Sequence, residues 1–209
     1  YPARPGKFYR ADVPEDTAHG HLLKSEPFRR NVPQGASARR ILYTTTLNGG
    51  VPALASALVL WKEDAPASPD ATRRLIVWAH GTSGAVPGCG ASMQRNPFED
   101  TPVLEALLDE GWVFVATDYA GLTTEGPSPY MIGDGAARSM LDSALAAHDL
   151  EELNLSLDTV LWGYSQGGHA ALWSGILARR YAPELEIRGI AAISPPTDLP
   201  AMMTDTEDS

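Results

Sequence analysis

The feature that most constrains the fold is a strand that runs without a linker into a turn and a helix. Thr159-Val160-Leu161-Trp162 leads into Gly163-Tyr164-Ser165-Gln166-Gly167, and an Ala-rich segment follows from Gln166 onward. Glycines on both sides of the serine predict a turn where any Cβ would collide with the neighbouring strand or helix. Such a turn lies at the carboxyl end of its strand, where ligands bind in open α/β sheets. A G-x-S-x-G pattern alone is weak, but these flanks make it a nucleophile elbow, and Ser165 is the predicted nucleophile.

The surrounding chain repeats the alternation. From residue 74 the pattern predicts strand Arg74–Ala79, helix Thr101–Glu110, strand Trp112–Thr117, helix Gly135–Leu153, strand Thr159–Tyr164, helix Gln166–Arg180 and strand Ile187–Ile193. This is the rhythm of a parallel sheet. The strands are continuous apolar runs, such as Val113-Phe114-Val115-Ala116, which predicts helices on both faces. Upstream, Ile41–Leu47 and Leu54–Trp61 are β-prone runs joined through Asn48-Gly49-Gly50, which predicts an antiparallel hairpin. Residues 1–40, rich in Pro, Arg and polar residues, show neither period and read as an N-terminal arm, with structure starting near Arg40. The core is expected over 41–199 and the start of an insertion or a broken loop over 200–209.

Composition narrows the function classes. The chain has 209 residues, of which 44% are hydrophobic and 20% charged, enough for one main folded domain. A net charge of −10 opposes phosphate backbones and anionic membranes, so no nucleic-acid partner is expected. Apolar runs such as Leu54–Trp61 and Ile187–Ile193 fall far short of the roughly 20 residues of a transmembrane helix, so no transmembrane segment is expected. Five histidines and the single cysteine, Cys89, show no ligand spacing, so neither a metal nor another cofactor is expected. The N-terminus carries no initiator Met and no apolar signal core, as in a mature or trimmed chain.

Serine acyl chemistry also needs N–H donors aimed at the developing oxyanion. The Gln166 N–H heads the helix after the serine, where free amides and the helix dipole favour negative charge. The strand ending Val77-Trp78-Ala79 opens into His80-Gly81-Thr82-Ser83-Gly84, from which the second donor is expected, with Thr82 assigned to it. His80 itself reads as a turn residue that packs and hydrogen-bonds.

These blocks together resemble the secretory lipase family, the lipase A type with the α/β-hydrolase fold. Trp78-Ala79-His80-Gly81-Thr82-Ser83-Gly84 with Pro87-Gly88-Cys89 is similar to its oxyanion loop. Thr117-Asp118-Tyr119-Ala120-Gly121-Leu122 and Pro127-Ser128-Pro129-Tyr130 are similar to the segment after its next strand, and Gly135–Ala146 to the helix that follows. Trp162–Ala171 is similar to its elbow, and Ile193-Ser194-Pro195-Pro196-Thr197-Asp198-Leu199 to the turn before its lid. The resemblance implies a secreted lipase or carboxylesterase acting on acylglycerols or smaller esters. Ser165 attacks the carbonyl in that scheme, a His takes its proton and an Asp orients the His.

The base is the gap in this reading. The family order is Ser, Asp, His, and neither partner has a counterpart after Ser165. His19 and His21 lie in the arm, His80 in the oxyanion turn, His148 on a helix, and His169 one turn behind the serine and off to its side. Asp198 reads as a turn residue at the lid entrance, and Asp118 as a structural residue at a strand end. With the acidic stretch Thr204–Ser209 lacking any apolar period, the chain is expected to be part of a longer protein. Its C-terminal segment, or a second chain, would carry the Asp and His, the missing strands, a lid and a disulfide partner for Cys89. Two alternatives stay open: an acyltransferase or peptidase on the same elbow, and a non-catalytic binding module.

Overall fold

A strand whose side chains are apolar in both directions needs cover on both faces, and the computed structural model supplies it. It describes residues 3–14, 17–66, 70–99 and 101–204. The chain runs β1 (Leu22–Pro27), β2 (Ser37–Thr46), β3 (Pro52–Trp61), β4 (Arg73–Ala79), α1 (Leu104–Asp109), β5 (Val113–Thr117), α2 (Gly133–His148), β6 (Leu155–Tyr164), α3 (Gln166–Tyr181), β7 (Glu186–Ile193) and α4 (Leu199–Thr204). The strands form one sheet in the order β1-β2-β3-β5-β4-β6-β7. Pairing is antiparallel from β1 through β3 to β5, and parallel across β5, β4, β6 and β7.

Strand β4 shows how the layers form. Leu75, Val77 and Ala79 join a core with Met140 and Leu141 of α2 and Leu177 of α3. Ile76 and Trp78 join a second core with Leu104 and Leu108 of α1 on the other face. All five are buried, and each large apolar side chain so removed from water contributes about 1.5–3 kcal/mol. The expected hairpin is present, with Thr46 opposite Pro52 across the Asn48–Gly50 turn.

The structure corrects the expectation that order starts near Arg40. Residues 22–27 form an edge strand on β2, and β2 itself begins at Ser37. Beyond Leu22-Leu23, β1 is Lys24-Ser25-Glu26-Pro27, the charged and Pro-ended composition of a protected edge, and so it has no apolar period to read. Helix α1 is shorter than expected because Val103 sits at φ 50°, left-handed, just before it. Helix α2 starts two residues early and ends at His148, after which Glu151–Leu153 form a 3-10 turn.

The N-terminal segment is tied down by partly buried polar contacts. His19 Nδ1 lies 2.6 Å from Asp142 Oδ1 on α2, and its ring stacks on Tyr181 of α3 at 4.0 Å. Tyr181 Oη donates to the second Asp142 oxygen at 2.8 Å. The bond to Asp142 raises the His19 pKa, whereas burial raises that of Asp142. A histidine whose pKa is higher when folded adds stability that is complete below its unfolded pKa, about 6.5, and lost as pH rises through the folded value. Urea melts should therefore separate wild type from His19→Gln most clearly near pH 5.5 and least near pH 8.5. An equal difference at both would show that the proton plays no part.

Candidate active site

Register brings the two candidate segments together. Ala79 of β4 pairs with Gly163 of β6, so the residues following each strand emerge side by side at the carboxyl end of the sheet. Ser165 adopts φ 53° and ψ −116°, a strained backbone that a non-glycine residue keeps only when its surroundings enforce it. Enforcement comes from both sides. The Ser165 N–H donates to Ile193 O at the end of β7 at 2.9 Å, and the His169 N–H donates to Ser165 O at 3.0 Å. A Cβ on Gly163 would stand 2.0 Å from Gly167 O, and one on Gly167 would stand 1.7 Å from Ala79 O. The glycines thus let helix α3 lie directly against β4 and β6.

Gln166, Gly167 and Gly168 open α3, and their amides have no intrahelical acceptor. The Gln166 side chain is buried, and its Oε1 has no hydrogen-bond partner. Across the cleft, Thr82 Oγ1 is 3.2 Å from Tyr130 Oη, and no residue among those described accepts from the Thr82 N–H. Gly81 lies under the Tyr164 ring, where an added Cβ would meet Cδ1 at 3.1 Å. A cleft of about 770 Å³ opens here, lined by Trp78, His80, Thr82, Ser165 and Ile193.

Behind this loop sits a buried polar network that the sequence patterns did not reveal. Asp118 is fully buried at the end of β5. It accepts from Ser56 Oγ at 2.5 Å and from the Ser92 N–H at 2.7 Å. Burial raises its pKa, and the hydrogen bonds from Ser56 and Ser92 oppose that rise. Ser92 Oγ in turn lies 2.8 Å from Tyr9 Oη, 83 residues away in sequence. This agrees with the structural reading of Asp118 and identifies what it ties down: the loop around Ala91–Met93. Asp198 accepts the Ala201 N–H at 3.1 Å and so heads α4. Residues 205–209 of the acidic stretch lie outside the described residues.

Among the described residues, no histidine hydrogen-bonds the Ser165 hydroxyl. His19 and His21 face Asp142 and Asp149. His148 and His169 are held below their ordinary pKa by burial, and His169 lies 6.2 Å from the Trp173 ring. His80 lines the cleft but donates its Nδ1–H to Gly81 O at 2.6 Å. No group of three or more His, Cys, Asp or Glu suited to a metal occurs among the described residues. None of the described helices is long and apolar enough to cross a membrane.

Comparison with known proteins gives a consistent set of likenesses. A family model described as secretory lipase matches residues 96–209. A Mycobacterium tuberculosis protein named "probable inactive lipase" is 30% identical over 197 residues, covering 86% of this chain and 42% of that protein. Lipase 7 of Candida albicans is 38% identical over 109 residues, covering 48% of this chain and 24% of the relative. The chain therefore spans less than half the length of these curated relatives. Among solved structures, the rice cell wall degrading esterase LipA of Xanthomonas oryzae superposes with a TM-score of 0.75 at 26% identity, covering 91% of this chain and 54% of LipA.

Proposed function

Since the chain belongs to the secretory lipase family and has the α/β-hydrolase fold, we propose that it carries the nucleophilic half of a secreted carboxylic ester hydrolase acting through an acyl-serine intermediate. The observation that carries this is the enforced φ 53° of Ser165 at the mouth of a cleft, beside two sets of unused backbone amides. Ser165 Oγ attacks the ester carbonyl of an acylglycerol or smaller ester as its proton passes to a histidine. The Gln166 and Thr82 N–H groups bind the oxyanion, and the alcohol leaves with that proton. Water then repeats the sequence on the acyl-serine and releases the acid.

The base and its orienting Asp belong, in this proposal, to polypeptide beyond residue 209 or to a second chain. Two facts support that: no described histidine side chain hydrogen-bonds the Ser165 hydroxyl, and the chain covers 42% of its Mycobacterium relative. A core that takes in β1 and β2 and runs to 199, followed by an insertion starting near 200, is part of the same proposal. A second reading, a non-catalytic module, is favoured by the name "probable inactive lipase" of that relative. Fluorophosphonate labelling of the full-length protein separates the two. An adduct mapped by mass spectrometry to Ser165, and prevented by excess ester, is the expected result. A folded full-length protein that stays unlabelled would overturn the enzyme reading.

A further inference from the structure

Two successive carbonyls of the loop after β4 are each held by a side-chain donor. Tyr119 Oη donates to His80 O at 2.9 Å, and His80 Nδ1 lies 2.6 Å from Gly81 O. A carbonyl oxygen only accepts, so the His80 proton is on Nδ1. Burial lowers the pKa of the ring, and Nε2 is buried without a partner. The imidazole stands edge-on to Tyr119, with centroids 4.9 Å apart. Its one hydrogen bond is therefore the bond to the next residue's carbonyl. An unpaired buried nitrogen is a defect that folded proteins seldom keep without a use for the residue.

That use follows from peptide geometry. Gly81 O and the Thr82 N–H belong to one planar unit, and the described chain contains no cis peptide. In a trans peptide the C=O and N–H point in opposite directions. Drawing Gly81 O onto the ring turns the Thr82 N–H away from it; that N–H has no internal acceptor among the described residues, and Thr82 and Ser165 line the same cleft. We infer that His80 is the positioning residue of the oxyanion loop: its Nδ1–H fixes the Gly81–Thr82 peptide so that the Thr82 N–H faces the carbonyl oxygen of an ester held at Ser165. This rests on the acyl-serine reading. Preorganised donors of this kind act by not having to reorient as charge develops, so the effect belongs in kcat and not in KM.

The test is a double-mutant cycle in the full-length protein with a soluble p-nitrophenyl ester. His80→Phe keeps the ring and its contact with Tyr119 but deletes the donor. It is expected to lower kcat by about 10- to 100-fold, with KM changed less than about twofold. His80→Asn, whose amide can reach the Gly81 carbonyl, is expected to recover most of the loss. Thr82→Pro, which removes the N–H itself, should make the His80→Phe substitution nearly silent, because the two act through one atom. Wild-type kcat in folded His80→Phe, or independent losses in the cycle, would overturn the inference. Nitrogen-15 NMR of the unmodified protein provides a check that needs no variant: a proton on Nε2 of His80 instead of Nδ1 would also overturn it. Activity in Ser165→Ala would instead overturn the acyl-serine reading, and an unaffected Thr82→Pro the donor assignment.

Discussion

Ser165→Ala, introduced into the full-length protein, is expected to lower kcat for ester hydrolysis by at least about ten-thousand-fold and to abolish fluorophosphonate labelling. The loss should come with almost no change in Tm. Strain at this position belongs to the backbone, at φ 53°, and an alanine carries the same Cβ into it. The hydroxyl makes no hydrogen bond among the described residues, so deleting it breaks no internal contact. Activity assays and thermal melts on the same preparation provide the check. Residual turnover above about one hundredth of wild type would place the nucleophile elsewhere.

Gly167→Ala is the expected structural catastrophe of the molecule. Its new Cβ would fall 1.7 Å from Ala79 O and 2.4 Å from Ala79 C, and both are backbone atoms of the interior strand β4. No rotamer relieves such a clash; either α3 lifts from the sheet or β4 shifts. We expect a loss of at least about 4 kcal/mol, equivalent to roughly 8–16 °C in Tm, or no soluble protein at all. Gly189→Ala on β7 is the matched control, since nothing lies within 4 Å of its added Cβ. Melts of the two variants within a few degrees of each other would show that the elbow tolerates movement that the structure does not suggest.

The parts legible in sequence are those specified by contiguous residues. The elbow, the Asn48–Gly50 hairpin and the four-strand parallel run each need only local spacing and apolar runs, and each appears where expected within a few residues. Strand β1 was hidden because an edge strand is held by backbone pairing to β2 and displays no apolar face. The buried contacts of Asp118 with Ser56 and Ser92, and of Ser92 with Tyr9, join parts of the chain far apart, and no spacing rule announces them. His80 is a different case. Its partner is the adjacent residue, yet reading the bond required knowing that the ring is buried and turned back on its own loop.

The hydrogen bond from the Ser165 N–H to Ile193 O sets an order of assembly. Its acceptor is contributed by β7, the last of the described strands, and Gly167 closes against Ala79 of β4, made much earlier. A nascent chain emerging from the ribosome can pair β2 with β3 as soon as both are made. The turn that presents the serine, by contrast, has no acceptor for its amide until residue 193 has been synthesised and docked. The strained backbone of Ser165 is thus completed only once β4 and β7, which bear its strain, are both in place.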